Sequence, residues 1–239
     1  MYAEEVTATP GTTGALPGRE RARLALADVP AEPGVPKPDP ILVADQVVRR
    51  FGGLVAVDLA HLEVQRGSIT ALIGPNGAGK TTLFNVLTGF DHPQSGTWTF
   101  NGQPAHGRRA HQVARLGMVR TFQLTKALAR LTVIDNMRLA ATSQAGENFF
   151  VGLLPFLWRQ QEREITARAD ELLRWFKLDH LRDDFAGSLS GGQRKLLEMA
   201  RALMVEPRLV MLDEPMAGVN PALVQSLLEH ITALRDGGM

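Results

Sequence analysis

The chain has 239 residues, 44% of them hydrophobic and 21% charged, enough for one large or two small domains with a buried core. Lys plus Arg number 26 and Asp plus Glu 25, so a net charge of +1 offers no overall basic excess for gripping nucleic-acid phosphates. The absence of cysteine excludes disulfides, thiolate metal sites and cysteine nucleophiles together, and it fits a cytosolic location.

Residues 1–40 hold seven of the 14 prolines. Proline fixes φ and removes a donor, so this stretch is expected to be a disordered tail, with Arg19 to Leu26 as its one candidate helix. Glu4 and Glu5 stand where a secretory signal would be basic, and no long apolar stretch follows. The longest apolar run in the chain, FFVGLLPFLW at 149–158, is about half the length that spans a bilayer and is interrupted by Pro155. Two readings of it stand: packing within its own subdomain, or a patch that docks on a partner.

Order is expected from Ile41 onward. Val55 to Val64 alternates apolar and polar residues, as a half-buried strand does. Ile69 to Ile73 (ITALI) is short, apolar and β-branched, which predicts a buried strand. It runs into a Gly-rich turn, followed by a helix over Thr81 to Leu87. Further strands are predicted at Thr97 to Phe100 and at 117–122. From about 124 to 195 the pattern is helical, most clearly at Val133 to Ala141 and Glu162 to Phe176. Strand character returns at Arg208 to Leu212. A last helix begins after Asn220, with Pro221 at its first position and Leu223, Val224, Leu227, Leu228, Ile231 and Leu234 as its apolar stripe. The layout is an α/β nucleotide-binding core with a helical insertion.

Three short segments carry the chemistry. Gly74, Pro75, Asn76, Gly77, Ala78, Gly79, Lys80 and Thr81 read GPNGAGKT and match G-x-x-x-x-G-K-[ST] at every fixed position. Such a loop curls its amides inward at a helix N-terminus and forms an anion site for phosphates. Lys80 adds a positive point charge, the Thr81 hydroxyl is placed for Mg²⁺, and Thr82 adds a phosphate contact. LVMLDE at 209–214 puts two acids at the end of a strand. Asp213 is placed to hold Mg²⁺ and Glu214 to take a proton from attacking water, although a helix N-terminus would favour the same acid pair. LSGGQ at 189–193 has a structural reading, in which Ser190 and Gln193 form a capping box. Its second reading uses Gly191 and Gly192, which capping does not require, to bare the amides for a ligand.

These segments, in this order, resemble the ATP-binding subunits of ABC transporters. The resemblance covers 41–239 and implies an ABC-type P-loop NTPase core with an N-terminal antiparallel β portion and an inserted helical subdomain at about 124–195. It implies ATP and Mg²⁺ as ligands. It also implies a head-to-tail pair of cassettes, each a copy of this chain or a related ATPase, in which Ser190, Gly191, Gly192 and Gln193 of one close on the ATP held by the other. Gln123, in RTFQ, aligns with the glutamine that reaches Mg²⁺ and the attacking water. Phe51, in RRFGG, aligns with the aromatic that stacks on adenine; a core aromatic is the other reading of the residue itself. AGVNP at 217–221 aligns with the loop that couples the two cassettes, with Asn220 where aspartate is commoner.

The stretches FGGLVAVD, SGTWTFNG, RTFQLTKALARLTVIDNM and LSGGQRKLLEMARALM are most similar to the ATPase subunits of branched-chain amino acid importers. That implies permease subunits at the cytoplasmic face of the cell membrane, a solute-binding protein beyond them, and no nucleic acid. The family's switch histidine is expected about 30 residues past Glu214, beyond Met239, and His230 falls inside the last predicted helix. On this reading the chain is C-terminally truncated, binds ATP and hydrolyses it poorly. An ATP-binding fragment without efficient turnover and a soluble non-transport ABC ATPase remain the alternatives.

Overall fold

A computed structural model of the protein describes residues 18–30, 35–121, 128–141, 155–218 and 220–239. The chain divides into two compact units, one of residues 1–116 and 228–239, the other of 117–227.

The first unit is built on an antiparallel sheet. Strand β1 (Pro40–Phe51) and strand β2 (Leu54–Gln65) form a long hairpin joined by Gly52 and Gly53, with Gly52 at φ 58. Strands β3 (Ser95–Phe100) and β4 (Gln103–Pro104) complete the order β2-β1-β3-β4. Pro40 occupies the first position of β1, where a missing N–H costs least. Leu42 lies opposite Phe100 and Ala44 opposite Trp98, and all four are buried. A bulge at Gln46, φ 52, shifts the pattern by one residue, so that the buried face resumes at Val47. Against this unit's core lie Leu83, Val86 and Leu87 of helix α2 (Lys80–Leu87), whose end is tied to the sheet by the Trp98 indole donating to Leu87 O at 3.1 Å. Val113 of the short helix α3 (Ala110–Arg115) is buried as well.

One expectation for this unit needs correction. Residues 69–73 form no strand: Ile69 is 54% exposed, Leu72 42% and Ile73 90%. Strand character requires a ladder partner as well as side chains, and no described strand pairs with this stretch. In the N-terminal segment, helix α1 (Gly18–Ala25) forms where the sequence allowed one, and buries Ala22. An added Cβ on Gly18 would meet the Arg235 carbonyl oxygen, so the helix approaches the C-terminal residues closely.

The second unit joins two parallel strands, β5 (Met118–Arg120) and β6 (Leu209–Met211), to a group of helices. Helices α4 (Val133–Ala140), α5 (Pro155–Trp175) and α6 (Gly191–Leu203) pack together. Their shared core contains Val133, Met137, Ala169, Leu173, Leu197 and Ala200. Thr132 caps α4, accepting from Asp135 N at 3.2 Å. Asn136 is fully buried and satisfied: its amide donates to the carbonyls of Leu128, Leu131 and Thr132 and accepts from Leu128 N at 2.9 Å.

Helix α7 (Pro221–Asp236) runs across the boundary in sequence between the two units. Its predicted apolar stripe holds at Leu227, which is buried, and fails at Leu228, which is 45% exposed. His230 lies within this helix and is buried. The FFVGLLPFLW run falls largely outside the described residues.

Candidate functional site

The phosphate-loop residues belong to the first unit. Gly79 is the N-cap of α2, in the left-handed conformation with φ 83, and Gly77 has φ 82, whereas Gly74 keeps an ordinary φ. No side chain caps α2, so backbone alone shapes its N-terminus. Lys80 folds back across the loop, its Nζ donating to Gly74 O and Pro75 O at 2.7 Å each. The loop is further closed by Ala78 N donating to Pro75 O at 3.2 Å, and Leu83 N donates to Gly79 O at 2.8 Å. Residues 74–78 and Thr81 are exposed, while Lys80 and Thr82 are half-buried. A cationic group thus stands over a ring of backbone at a helix N-terminus, an arrangement suited to an anion.

Phe51 ends β1 at the hairpin turn and is 48% exposed, which rules out the core-aromatic reading. The Arg49 guanidinium lies 4.3 Å from the Phe51 ring centroid. Arg49 is itself held by Asp91, with Nε to Oδ2 at 2.9 Å and a second nitrogen to Oδ1 at 2.8 Å. Asp91 follows α2, so an ion pair connects the aromatic strand to the loop beyond the phosphate-loop helix. Sequence reasoning missed Arg49, although its i, i+2 spacing from Phe51 on one strand places both on the same side.

The remaining candidates lie in the second unit. Ser190 caps α6 as the pattern predicts: its Oγ accepts from Gln193 N at 3.3 Å, and the Gln193 side chain accepts from Ser190 N at 2.8 Å. Ser190 and Gly191 are exposed. The two glycines differ in surroundings. A Cβ on Gly191 would meet nothing within 4 Å, whereas one on Gly192 would lie 2.1 Å from the Leu223 side chain. Gly192 therefore has a packing reason that the sequence reading did not assign, and only Gly191 stands open.

Asp213 follows β6 and is 8% exposed. Its Oδ2 accepts from Arg120, the last residue of β5, at 2.7 Å. Parallel pairing of Arg120 with Met211, extended by Thr121 N donating to Met211 O at 3.0 Å, sets this meeting. Glu214 is exposed and has φ 46, a conformation that costs a non-glycine residue about 1–2 kcal/mol. Its carbonyl accepts from Ala217 N at 3.1 Å, closing a turn. Lys195, on α6, donates to the carbonyls of Pro215 and Ala217 and so ties the capped helix to the loop after Glu214. Thr121, Lys195, Glu198, Asp213 and Pro215 line one shallow depression. Arg120 and Lys195 were not singled out from sequence; nothing local marks them, because each acts across a long separation. Gln123 lies outside the described residues.

Among the described residues no group of three or more His, Cys, Asp or Glu could cage a metal ion. The carboxylate of Asp213 in one unit and the exposed hydroxyl of Thr81 in the other are each hard oxygen donors of the kind that Mg²⁺ takes.

The family model described as "ABC transporter" matches residues 57–217, well over half of the chain. The chain belongs to the ABC transporter family. Relatives include the Archaeoglobus fulgidus protein named "Probable branched-chain amino acid transport ATP-binding protein LivG", 43% identical over 199 residues, covering 83% of this chain and 77% of the relative. The Pseudomonas aeruginosa high-affinity branched-chain amino acid transport ATP-binding protein BraF is 41% identical over 198 residues, 82% of this chain and 78% of that one. Among solved structures, a nucleotide-free ATP-binding cassette from an ABC transporter superposes with a TM-score of 0.71 at 37% identity, covering 84% of this chain and 79% of that one. The ADP conformation of the cassette MJ1267 gives 0.70 at 36%, covering 84% and 78%. The expected fold class, an ABC-type P-loop NTPase with an antiparallel β portion, is thereby borne out. No helix among the described residues is long and apolar enough to cross a membrane.

Proposed function

We propose that this ABC protein is the ATP-binding, ATP-hydrolysing subunit of a branched-chain amino acid importer, working at the cytoplasmic face of the membrane beneath its permease subunits. The observation that carries the reading is Lys80 poised over the phosphate loop at the open N-terminus of α2, in a chain about 40% identical to LivG and BraF proteins along most of its length.

In this reading 74–82 hold the phosphates, with Lys80 exchanging its loop carbonyls for phosphate oxygens. Exposed Phe51 presents a ring to adenine, backed by Arg49. Thr81, Asp213 and Gln123 would hold Mg²⁺, which would supply charge to offset that of the triphosphate. Gln123 orients the attacking water and Glu214 takes its proton. Ser190, Gly191, Gly192 and Gln193 serve the ATP of a second cassette, the capped helix α6 offering amides at its tip. ATP favours the closed pair over the open one, and that difference in affinity is what drives the permease.

Reconstituted with permease and solute-binding protein in liposomes, the chain should support ATP-dependent leucine uptake, and Lys80→Ala should reduce uptake to background. Undiminished uptake by that variant would overturn the assignment.

A further inference from the structure

The Arg120–Asp213 pair is more deeply buried than any other ion pair among the described residues, with side chains 4% and 8% exposed and 2.7 Å between the charged atoms. Burying two charges gains little stability over an apolar pair of the same volume, because desolvation offsets the attraction. Sheet stability alone therefore gives no reason for it. Position does give one. Register between β5 and β6 brings the guanidinium to the carboxylate that the proposed function assigns to the metal.

We propose that Arg120 is a positioning residue and counter-ion that keeps Asp213 neutralised until nucleotide arrives, so that a divalent cation enters with the triphosphate and not before it. The inference rests on the metal-holding reading of Asp213. A buried carboxylate without a partner is costly and draws a proton or a cation. With Arg120 bonded to it, the charge of the carboxylate is offset, and an approaching divalent ion meets repulsion from the guanidinium at short range. The negative charges of a triphosphate reverse that balance. The bond from Arg120 to Oδ2 also favours one orientation of the carboxylate, which shortens the rearrangement needed when the metal–nucleotide complex binds.

The test is Mn²⁺ binding to nucleotide-free protein, read from loss of the free-ion signal in electron paramagnetic resonance. Arg120→Gln should bind Mn²⁺ at least about tenfold more tightly than the unaltered protein, since one repelling charge is gone. Adding Asp213→Asn should cancel the gain, and Arg120→Lys should bind as weakly as the unaltered protein. No gain in Arg120→Gln, or a gain that survives Asp213→Asn, overturns the proposal. If Arg120→Gln does not fold, Asp213→Asn alone decides. It should leave nucleotide-free Mn²⁺ binding of the otherwise unaltered chain unchanged, and a loss would show the carboxylate already open to metal. Binding of Mg²⁺–ATP to the unaltered protein, measured alongside, separates the two levels. Its failure sinks the ATP reading itself, whereas its success with an open carboxylate sinks only the role of Arg120.

Discussion

A Cβ placed on Gly79 would sit 1.9 Å from the Ala56 carbonyl oxygen, and φ 83 would strain it further, so loop and sheet can meet there only through glycine. Gly191 is the opposite case, with open space around it in the first turn of α6. Alanine at the two positions should therefore separate folding from function. Gly79→Ala should lose more than about 2 kcal/mol of stability, since rigid backbone has to move. Gly191→Ala should keep or raise stability by up to about 1 kcal/mol, because alanine is the better helix former. ATP-driven pairing of Gly191→Ala should nevertheless weaken, because the methyl fills the space proposed for a neighbour's phosphate. Urea denaturation together with sedimentation in ATP checks both, and a Gly191→Ala protein that pairs normally would remove that residue from the proposed interface.

At the level of elements, one feature of the sheet predicts a pH response. His61 on β2 bonds Asp45 Oδ1 across the hairpin at 2.6 Å and faces Glu63 Oε1 at 3.2 Å. The hydrogen bond to Asp45 outweighs the desolvation that opposes it and, with the Asp45 charge and Glu63 adding to it, raises the imidazole above its usual 6.5. The folded state thus binds the proton more tightly than the unfolded one. The added stability is complete below about pH 6.5 and is lost as pH rises through the higher folded value. Solvent exposure keeps the effect small. The urea midpoint should fall slightly between pH 6 and pH 8, and His61→Gln should abolish that part of the difference. The elements themselves were legible where the pattern is local: the capping box at Ser190 and the strand β2 both appear where the residues place them. Residues 69–73 were misread because a buried strand depends on a pairing partner that side-chain pattern does not encode. Arg120 and Lys195 were missed for a related reason. Their partners lie 93 residues away in one case and 20 and 22 in the other, and they meet only once strand register and helix packing are set.

For the molecule as a whole, the central claim is that the phosphate loop of one chain and the Ser190 helix tip of another complete a single ATP site. The resemblance of its motifs to the ABC family implied this pairing from the sequence, whereas the surfaces that meet in such a pair are not encoded in any one segment. The most direct measurement is complementation in trans, with all chains carrying Glu214→Gln to suppress turnover. Lys80→Ala and Ser190→Arg proteins, each alone with ATP, should sediment as monomers. Mixed, they should form an ATP-dependent dimer, because one intact site then draws Lys80 from one chain and Ser190 from the other. A mixture that stays monomeric while the Glu214→Gln parent pairs in ATP would contradict the account.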